Sequence, residues 1–109
     1  MTKGLEGCLY VLPKEKFAAM SGNLEKLPLE HKANRDYGRL FFSGASEEAV
    51  DKQGRMNIPG SLREYASLSK EVVVVGVSGR GEIWDKQKWQ QYQQAVEGDY
   101  ASIAEQLDL

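Results

Sequence analysis

The sequence predicts a small α+β domain, and three observations support this. The chain has 109 residues, of which 41% are apolar and 28% charged, which is typical of one soluble globular domain. Short β-prone runs are joined by a hairpin signal instead of alternating with long helices, which does not fit a βαβ order. The last part of the chain carries apolar residues at helical spacing.

The first half of the chain is predicted to contain one strand and two helices. Cys8–Leu12 is apolar and β-prone, and Pro13 ends it and can open a helix at its first turn. We expect that helix over residues 14–20, with Ser21–Asn23 ending it. A polar connector then leads to a second helix over Ala33–Phe42.

The middle of the chain is predicted to form a turn, two strands and a helix. Asp51–Arg55 has the composition of a turn, and Met56–Ile58 alternates apolar with polar residues, as a half-buried strand does. Pro59 suits the first turn of a helix that runs to about Ser67. The run Glu71–Val77 is continuous and β-branched, so we expect a buried strand.

The C-terminal part is predicted to complete a hairpin and to end in a helix. Ser78–Gly81 has turn chemistry, and Glu82–Trp84 follows as the hairpin partner. Asp85 is a suitable N-cap for the last helix. That helix would carry one apolar stripe, suited to core or subunit contact, made of Trp89, Tyr92, Val96, Tyr100, Ile103 and Leu107.

An internal repeat is indicated at an offset of 72 residues. Superposing Gly76–Trp89 on Gly4–Phe17 gives four identities in fourteen positions and aligns turn, strand and helix-start signals. On this offset, the counterpart of Asp51–Arg55 would lie before Met1. We therefore expect Cys8–Leu12 to lack its natural sheet neighbours and to pair with another chain or stay poorly ordered.

The composition argues against an enzyme. One cysteine, Cys8, excludes an internal disulfide framework, and one histidine, His31, leaves no zinc-type cluster. Cys8 fits a core position and His31 a solvated one, while Glu82 and Asp85 fit a hairpin and an N-cap better than a pair of catalytic carboxylates. We expect no catalytic residue, metal, cofactor or small-molecule substrate.

The sequence also shows neither a membrane-spanning segment nor a secretion signal. The unbroken apolar run Val72–Val75 is far too short to cross a bilayer, and no basic-then-apolar leader opens the chain. We therefore expect a cytoplasmic protein with no membrane partner.

The formal net charge of −2 hides an uneven distribution. Residues 31–80 carry eight basic and six acidic groups, whereas residues 81–109 carry two basic and six acidic groups. Four of the five arginines fall between residues 35 and 63. This asymmetry permits a phosphate-facing surface in the middle of the chain without demonstrating one, and a mixed solvated surface is the simpler explanation.

The sharpest local motif is Asp51-Lys52-Gln53-Gly54-Arg55. Gly54 permits a positive φ, and the carboxylate of Asp51 can accept hydrogen bonds from turn amides. Lys52 and Arg55 would project from the turn, where an arginine suits bidentate contact with a phosphate or a guanine. The alternative is a tight turn in which Asp51 and Arg55 simply form an ion pair.

Several segments together resemble the MraZ family. They are Arg39-Leu-Phe-Phe-Ser, Asp51-Lys-Gln-Gly-Arg-Met-Asn-Ile-Pro59, Leu62-Arg-Glu-Tyr-Ala-Ser-Leu68, Glu71-Val-Val-Val-Val-Gly76, and Glu82-Ile-Trp-Asp85 with Trp89. The opening Gly4 and Cys8-Leu-Tyr-Val resemble the end of that family's first half. The resemblance covers about residues 3–92 in the same order.

The resemblance implies a SpoVT–AbrB-type swapped-hairpin β-barrel with short helices and two repeats per chain. It divides this chain into a remnant of the first repeat with its connector (1–30), a linking helix (31–44), a complete second repeat (45–92) and a helical tail (93–109). The family's first Asp-x-Lys-Gly-Arg element has no counterpart here, so the first repeat is expected to be partial and the chain truncated at its N-terminus.

The resemblance also implies a function. Family members are sequence-specific transcriptional regulators that assemble into rings and bind promoter direct repeats of the bacterial division and cell-wall gene cluster. Carried over, Asp51 and Gly54 form the turn, and Arg55 and Lys52 face double-stranded DNA in a cytoplasmic, nucleoid-associated homo-oligomer. Arg63, at the start of the neighbouring helix, either reaches a DNA phosphate or packs near an Asp or Glu. The alternative is an oligomerisation module that lost DNA binding with the first half-repeat.

Overall fold

The computed structural model describes residues 1–109 and confirms an α+β architecture. The strands are β1 (Thr2–Lys3), β2 (Leu9–Val11), β3 (Val72–Val77) and β4 (Arg80–Asp85). The helices are α1 (Lys14–Glu25), α2 (Lys32–Gly44), α3 (Gly60–Tyr65), α4 (Lys86–Glu97) and α5 (Tyr100–Gln106), and a 3-10 turn covers Leu5–Gly7. No helix combines the length and the apolar composition that crossing a membrane requires.

The four strands form one open antiparallel sheet in the order β1-β2-β4-β3. In its centre Leu9 pairs with Ile83 and Tyr10 pairs with Glu82, so the N-terminal strand lies against the C-terminal hairpin. The expectation that Cys8–Leu12 would lack sheet neighbours is wrong. The strand is paired on both sides within its own chain because β1 and β4 supply the backbone partners.

The structure repeats at the offset that the sequence indicated. Helices α1 and α4 are each 12 residues long, and their first residues, Lys14 and Lys86, are 72 positions apart. The β2–β4 register has the same symmetry, because moving the pair Leu9–Ile83 by this offset gives the observed pair Gly81–Val11. The two central strands are therefore related by a local two-fold axis.

Two small cores lie on opposite faces of the sheet. On one face Leu9 and Ile83 pack against Leu62 and Ala66 at helix α3. On the other face Cys8, Tyr10 and Trp84 pack against two side chains of α4, Trp89 and Tyr92. The alternation of side chains along a strand sends neighbouring residues of β2 into different cores. Cys8 is 1% exposed, which confirms its core position.

Two helix predictions need correction. Helix α1 continues through Ser21–Asn23 to Glu25, because a glycine inside a helix costs only about 1 kcal/mol. Packing offsets that cost, since the Phe17 ring stacks on Phe41 of α2 at a centroid distance of 5.4 Å. The predicted single C-terminal helix is divided at Gly98–Asp99, so the apolar stripe is split between α4 and α5.

Two strand predictions also need correction. Met56–Ile58 forms no strand, although Met56 and Ile58 pack against the core beneath α3. β3 is a strand but not a buried one, because it lies at the edge of the sheet. Val74 pairs with Ile83 and shares its face, yet α3 covers Ile83 and leaves Val74 68% exposed.

Asp85 caps helix α4, as predicted. Its carboxylate accepts a hydrogen bond from the Lys88 backbone N–H at 3.4 Å and two from Ser69, from the hydroxyl at 2.5 Å and the backbone N–H at 3.0 Å. The Ser69 hydroxyl is the main reason that the pKa of Asp85 lies below its ordinary value. The same carboxylate thus fixes the hairpin to the start of α4 and to the loop after α3.

Replacing Leu62 by alanine should lower the free energy of unfolding by about 2–5 kcal/mol, because this side chain is 1% exposed in the α3 core. Urea denaturation followed by circular dichroism measures the change. Leu29→Ala is the matched control, since Leu29 is 75% exposed and its loss should be nearly neutral. Equal destabilisation by both variants would contradict the assigned core.

The stability that the Asp85 charge contributes should depend on pH. The folded-state pKa is lowered, so the contribution is present above the ordinary value of 3.8 and is lost as the pH falls through the folded pKa. Asp85→Asn keeps a capping oxygen but removes the charge. We expect the variant to melt below the wild type at pH 7 and the gap to close in acid. A gap that is independent of pH would contradict this role.

Candidate nucleic-acid interface

The segment Asp51–Arg55 forms a compact turn on the protein surface. The Asp51 backbone N–H donates to the Arg55 carbonyl at 2.9 Å, and the Gly54 N–H donates to the Asp51 carbonyl at 3.0 Å. Gly54 has a φ of +78°, in the left-handed region where glycine carries no side-chain penalty. A β-carbon at Gly54 would meet nothing, so backbone conformation alone favours glycine here.

The carboxylate of Asp51 organises this turn. One oxygen, Oδ1, accepts the backbone N–H groups of Gln53 at 2.9 Å and Arg55 at 2.8 Å. The other, Oδ2, accepts Nε–H of the Arg55 side chain at 2.9 Å. These bonds, the one from the Arg55 backbone first among them, lower the pKa of Asp51. The turn is therefore closed by an ionised carboxylate at neutral pH.

The guanidinium of Arg55 is both tethered and accessible. Its side chain is 76% exposed, and besides Asp51 it contacts only Oε1 of Gln53, through Nη2 at 3.3 Å. Nη1 has no partner in the chain, so the end of the guanidinium formed by the two Nη atoms faces solvent. This edge carries the paired donors that match two oxygens of a phosphate or the O6 and N7 atoms of guanine.

Of the remaining two predicted cations, Lys52 lies within the turn and Arg63 lies on α3, eight residues after Arg55. Lys52 is exposed and forms no ion pair. Arg63 is exposed on α3, next to buried Leu62, and its side chain forms no ion pair either. With Asp51 counted, the turn itself has one net positive charge. Lys52 and Arg63 are therefore free to bind an external anion, whereas Arg55 has only Nη1 without a partner in the chain.

The residues before and after the turn are both attached to the rest of the fold. Before it, Ser46 and Met1 exchange two hydrogen bonds, with N–O distances of 2.8 and 2.9 Å. After it, Met56 and Ile58 contact the core, and Leu62 anchors α3 within it. The exposed cations thus stand on a short segment with fixed ends, which limits the entropy lost when they bind a ligand.

Gln53 is the one residue of this site that the sequence analysis did not single out. Its side chain holds Nη2 of Arg55 while its backbone N–H binds Asp51. The only available signal was its place two residues after an aspartate and two before an arginine, where a long amide can reach the guanidinium.

The other candidate groups, Glu82, Cys8 and His31, form no second site. Glu82 accepts Nε and Nη2 of Arg80 at 3.0 and 2.9 Å and Nε1 of Trp84 at 3.1 Å, while Arg80 stacks over the Tyr10 ring at 4.8 Å. Burial raises the pKa of the Cys8 thiol to about 11, so it is protonated at neutral pH. His31 is exposed, and no cluster of three or more potential metal ligands is formed.

Comparison with known proteins gives a consistent family assignment. Residues 41–109 match the sequence model of the family described as "MraZ protein, putative antitoxin-like". The chain is 48% identical over 108 residues to "Transcriptional regulator MraZ" of Finegoldia magna, which covers 99% of this chain and 76% of the relative.

Two further relatives bear the same name. That of Natranaerobius thermophilus is 44% identical over 106 residues, covering 97% of this chain and 74% of the relative. That of Salinispora arenicola is 48% identical over 105 residues, covering 96% and 74%. Similarity of this extent and level, together with the family match, shows that the chain belongs to the MraZ family.

Proposed function

We propose that this chain regulates transcription by binding double-stranded DNA through the turn Asp51–Arg55. The observation that carries the proposal is the Arg55 guanidinium, which Asp51 and Gln53 hold through Nε and Nη2 while Nη1 has no partner and the side chain is 76% exposed. The relatives named above are called transcriptional regulators, which supports DNA as the partner. In this proposal the chain is not an enzyme and takes no cofactor.

The geometry of the turn indicates which part of DNA each cation would contact. Asp51 binds Nε of Arg55, so the end-on edge of the guanidinium is left for a bidentate contact with guanine in the major groove. Lys52, a flexible point charge, suits a backbone phosphate. Arg63 on α3 would add a second phosphate contact. Arg55 then supplies sequence discrimination, while Lys52 and Arg63 supply affinity that depends on salt.

One such turn provides few contacts, so the proposal includes a ring-like homo-oligomer on promoter direct repeats. Copies of the turn on one rim would bind successive repeats, and linked binding events raise the overall affinity without new contacts. The acidic C-terminal part would point away from the DNA. From the family resemblance we extend the proposal to the division and cell-wall gene cluster and to a cytoplasmic, nucleoid-associated location.

We propose that the chain adopts the swapped-hairpin fold of the SpoVT–AbrB type and divides into four segments. The swapped-hairpin arrangement would comprise a first-repeat remnant (1–30), a linking helix (31–44), the second repeat (45–92) and a tail (93–109). The equal lengths of α1 and α4 and the two-fold register of β2 with β4 support a repeat. The strands seen in one chain form an open sheet, so a closed barrel requires further strands.

A second candidate function is an oligomerisation module that does not bind DNA. The chain has one Asp-x-x-Gly-Arg turn, whereas β3 and α5 expose several apolar side chains. Light scattering combined with a DNA gel shift separates the two candidates. Assembly without any DNA shift favours the module, and a shift that depends on Arg55 favours the regulator.

Arg55→Ala should weaken binding to a duplex that the wild-type chain has selected from a random library. Loss of a bidentate base contact costs about 1–3 kcal/mol, or about five- to 150-fold in affinity. Gel-shift titration at fixed salt measures the effect. Arg55→Lys, which keeps the charge but loses the paired donors, should discriminate less between the selected duplex and one with its guanines replaced. Wild-type discrimination in Arg55→Lys would rule out base contact by this side chain.

Lys52→Ala should weaken binding by a similar factor on selected and unselected duplexes, because a phosphate contact carries no sequence information. The slope of log Kd against log salt should fall by about one. Fluorescence anisotropy over a salt series provides the measurement, and Lys26→Ala, which removes another exposed lysine, serves as the control. An unchanged slope in Lys52→Ala would remove Lys52 from the interface.

A further inference from the structure

The C-terminal helix α5 presents an apolar face that the chain does not cover. Tyr100 and Ile103 of α5 and Leu107, its C-cap residue, are 77%, 40% and 63% exposed and recur at the spacing of one helix side. α5 contributes no buried residue to the fold. Isolated apolar residues are ordinary on protein surfaces, whereas a contiguous apolar stripe marks a surface that another element covers.

The segment that carries this stripe is acidic throughout. From residue 97 to the C-terminus the chain has four side-chain carboxylates, those of Glu97, Asp99, Glu105 and Asp108, and neither lysine nor arginine. None of the four takes part in an ion pair. A surface that fits α5 must therefore offer apolar contacts together with positive charge.

Helix α2 combines these two properties. Leu40 and Tyr37 lie one turn apart and are 57% and 37% exposed. The helix contains three basic residues and one acidic residue, Asp36, which already binds Lys32 at 2.6 Å. Arg39 is exposed and has no ion-pair partner. The 13 residues of α2 span about 20 Å, longer than the seven of α5 at about 10 Å, so the shorter helix can lie wholly upon it.

Two other exposed surfaces, the β3 edge and the turn Asp51–Arg55, fit α5 less well. The β3 edge exposes Val72 and Val74, but the strand Val72–Val77 contains no charged residue. The turn Asp51–Arg55 is basic but contains no apolar residue. Of these three surfaces, α2 alone complements α5 in both charge and hydrophobicity.

We propose that α5 of one chain docks on α2 of a second copy of the same chain. This proposal rests on the homo-oligomer of the proposed function and names the contact that builds it. Because the two patches differ, the contact is head-to-tail, and repetition around a closed rotation generates a ring. Arg39 then faces the acidic segment of its neighbour, and Tyr37 and Leu40 contact the stripe of α5.

Cross-linking between two singly substituted chains tests the contact directly. One chain carries Leu40→Cys and the other, with a different affinity tag, carries Leu107→Cys. A short bismaleimide spans packed helices whose axes lie 8–10 Å apart. We expect a mixed cross-linked dimer from this mixture and none from wild type, whose Cys8 is buried. A mixture of Leu29→Cys with Leu107→Cys, which places the first thiol at a loop residue 75% exposed, is the control and should give no mixed dimer.

Light scattering on charge-bearing variants gives a second measurement. Leu107→Asp and Leu40→Asp should each raise the dissociation constant of assembly by about tenfold or more, because each places a charge in the apolar contact. Leu29→Asp should leave it unchanged. Circular dichroism spectra like that of the wild type would show that the variants fold.

The outcomes separate this inference from the proposed function. A wild-type assembly that gives no mixed cross-link and is insensitive to both aspartate variants would overturn the α5–α2 contact and leave the DNA-binding turn standing. A chain that is monomeric at all concentrations would overturn the contact and the proposed ring together. An Arg55-dependent gel shift, measured in parallel, reports on DNA binding whichever result is obtained.

Discussion

The antiparallel pairing of β2 with β4 is the contact on which the structure depends, because it joins residues 70 to 74 positions apart in the chain. Its side chains alternate between two faces, so the same few backbone hydrogen bonds support both cores. Leu9 and Ile83 anchor α3 on one face, while Tyr10 and Trp84 anchor α4 on the other. A chain with only a few fully buried side chains depends strongly on each of them.

The same core positions the exposed turn Asp51–Arg55, the candidate DNA-binding site. Leu62 fixes α3 to the core, and Met56 and Ile58 extend the anchoring to the residues just after the turn. Within the turn, Asp51 uses both carboxylate oxygens to close the backbone and to hold the Arg55 side chain. A surface ion pair of this kind adds little stability. Its value lies in limiting the orientations of a guanidinium that stays open to solvent.

Local chemistry allowed much of this to be predicted. The N-cap at Asp85 and the start of α3 after Pro59 are predictable, because both depend on residues within one helical turn. The Asp51–Arg55 turn was recognisable for the same reason. Predictions failed where tertiary contacts compete with local preference. Ser21–Asn23 would end an isolated helix, yet stacking of Phe17 on Phe41 accompanies its continuation to Glu25.

The sequence by itself determined the short-range features: the hairpin of β3 and β4, the capped start of α4, the turn with its two cations, and the family resemblance. The tertiary structure alone decided that β2 pairs within its own chain, that β3 is an exposed edge, that Met56–Ile58 packs without pairing, and that Gln53 reaches Arg55. The physical reason is the sequence separation over which each kind of interaction acts. Capping, turn and propensity effects act over a few residues, whereas strand partners and burial depend on distant segments whose positions no local pattern encodes.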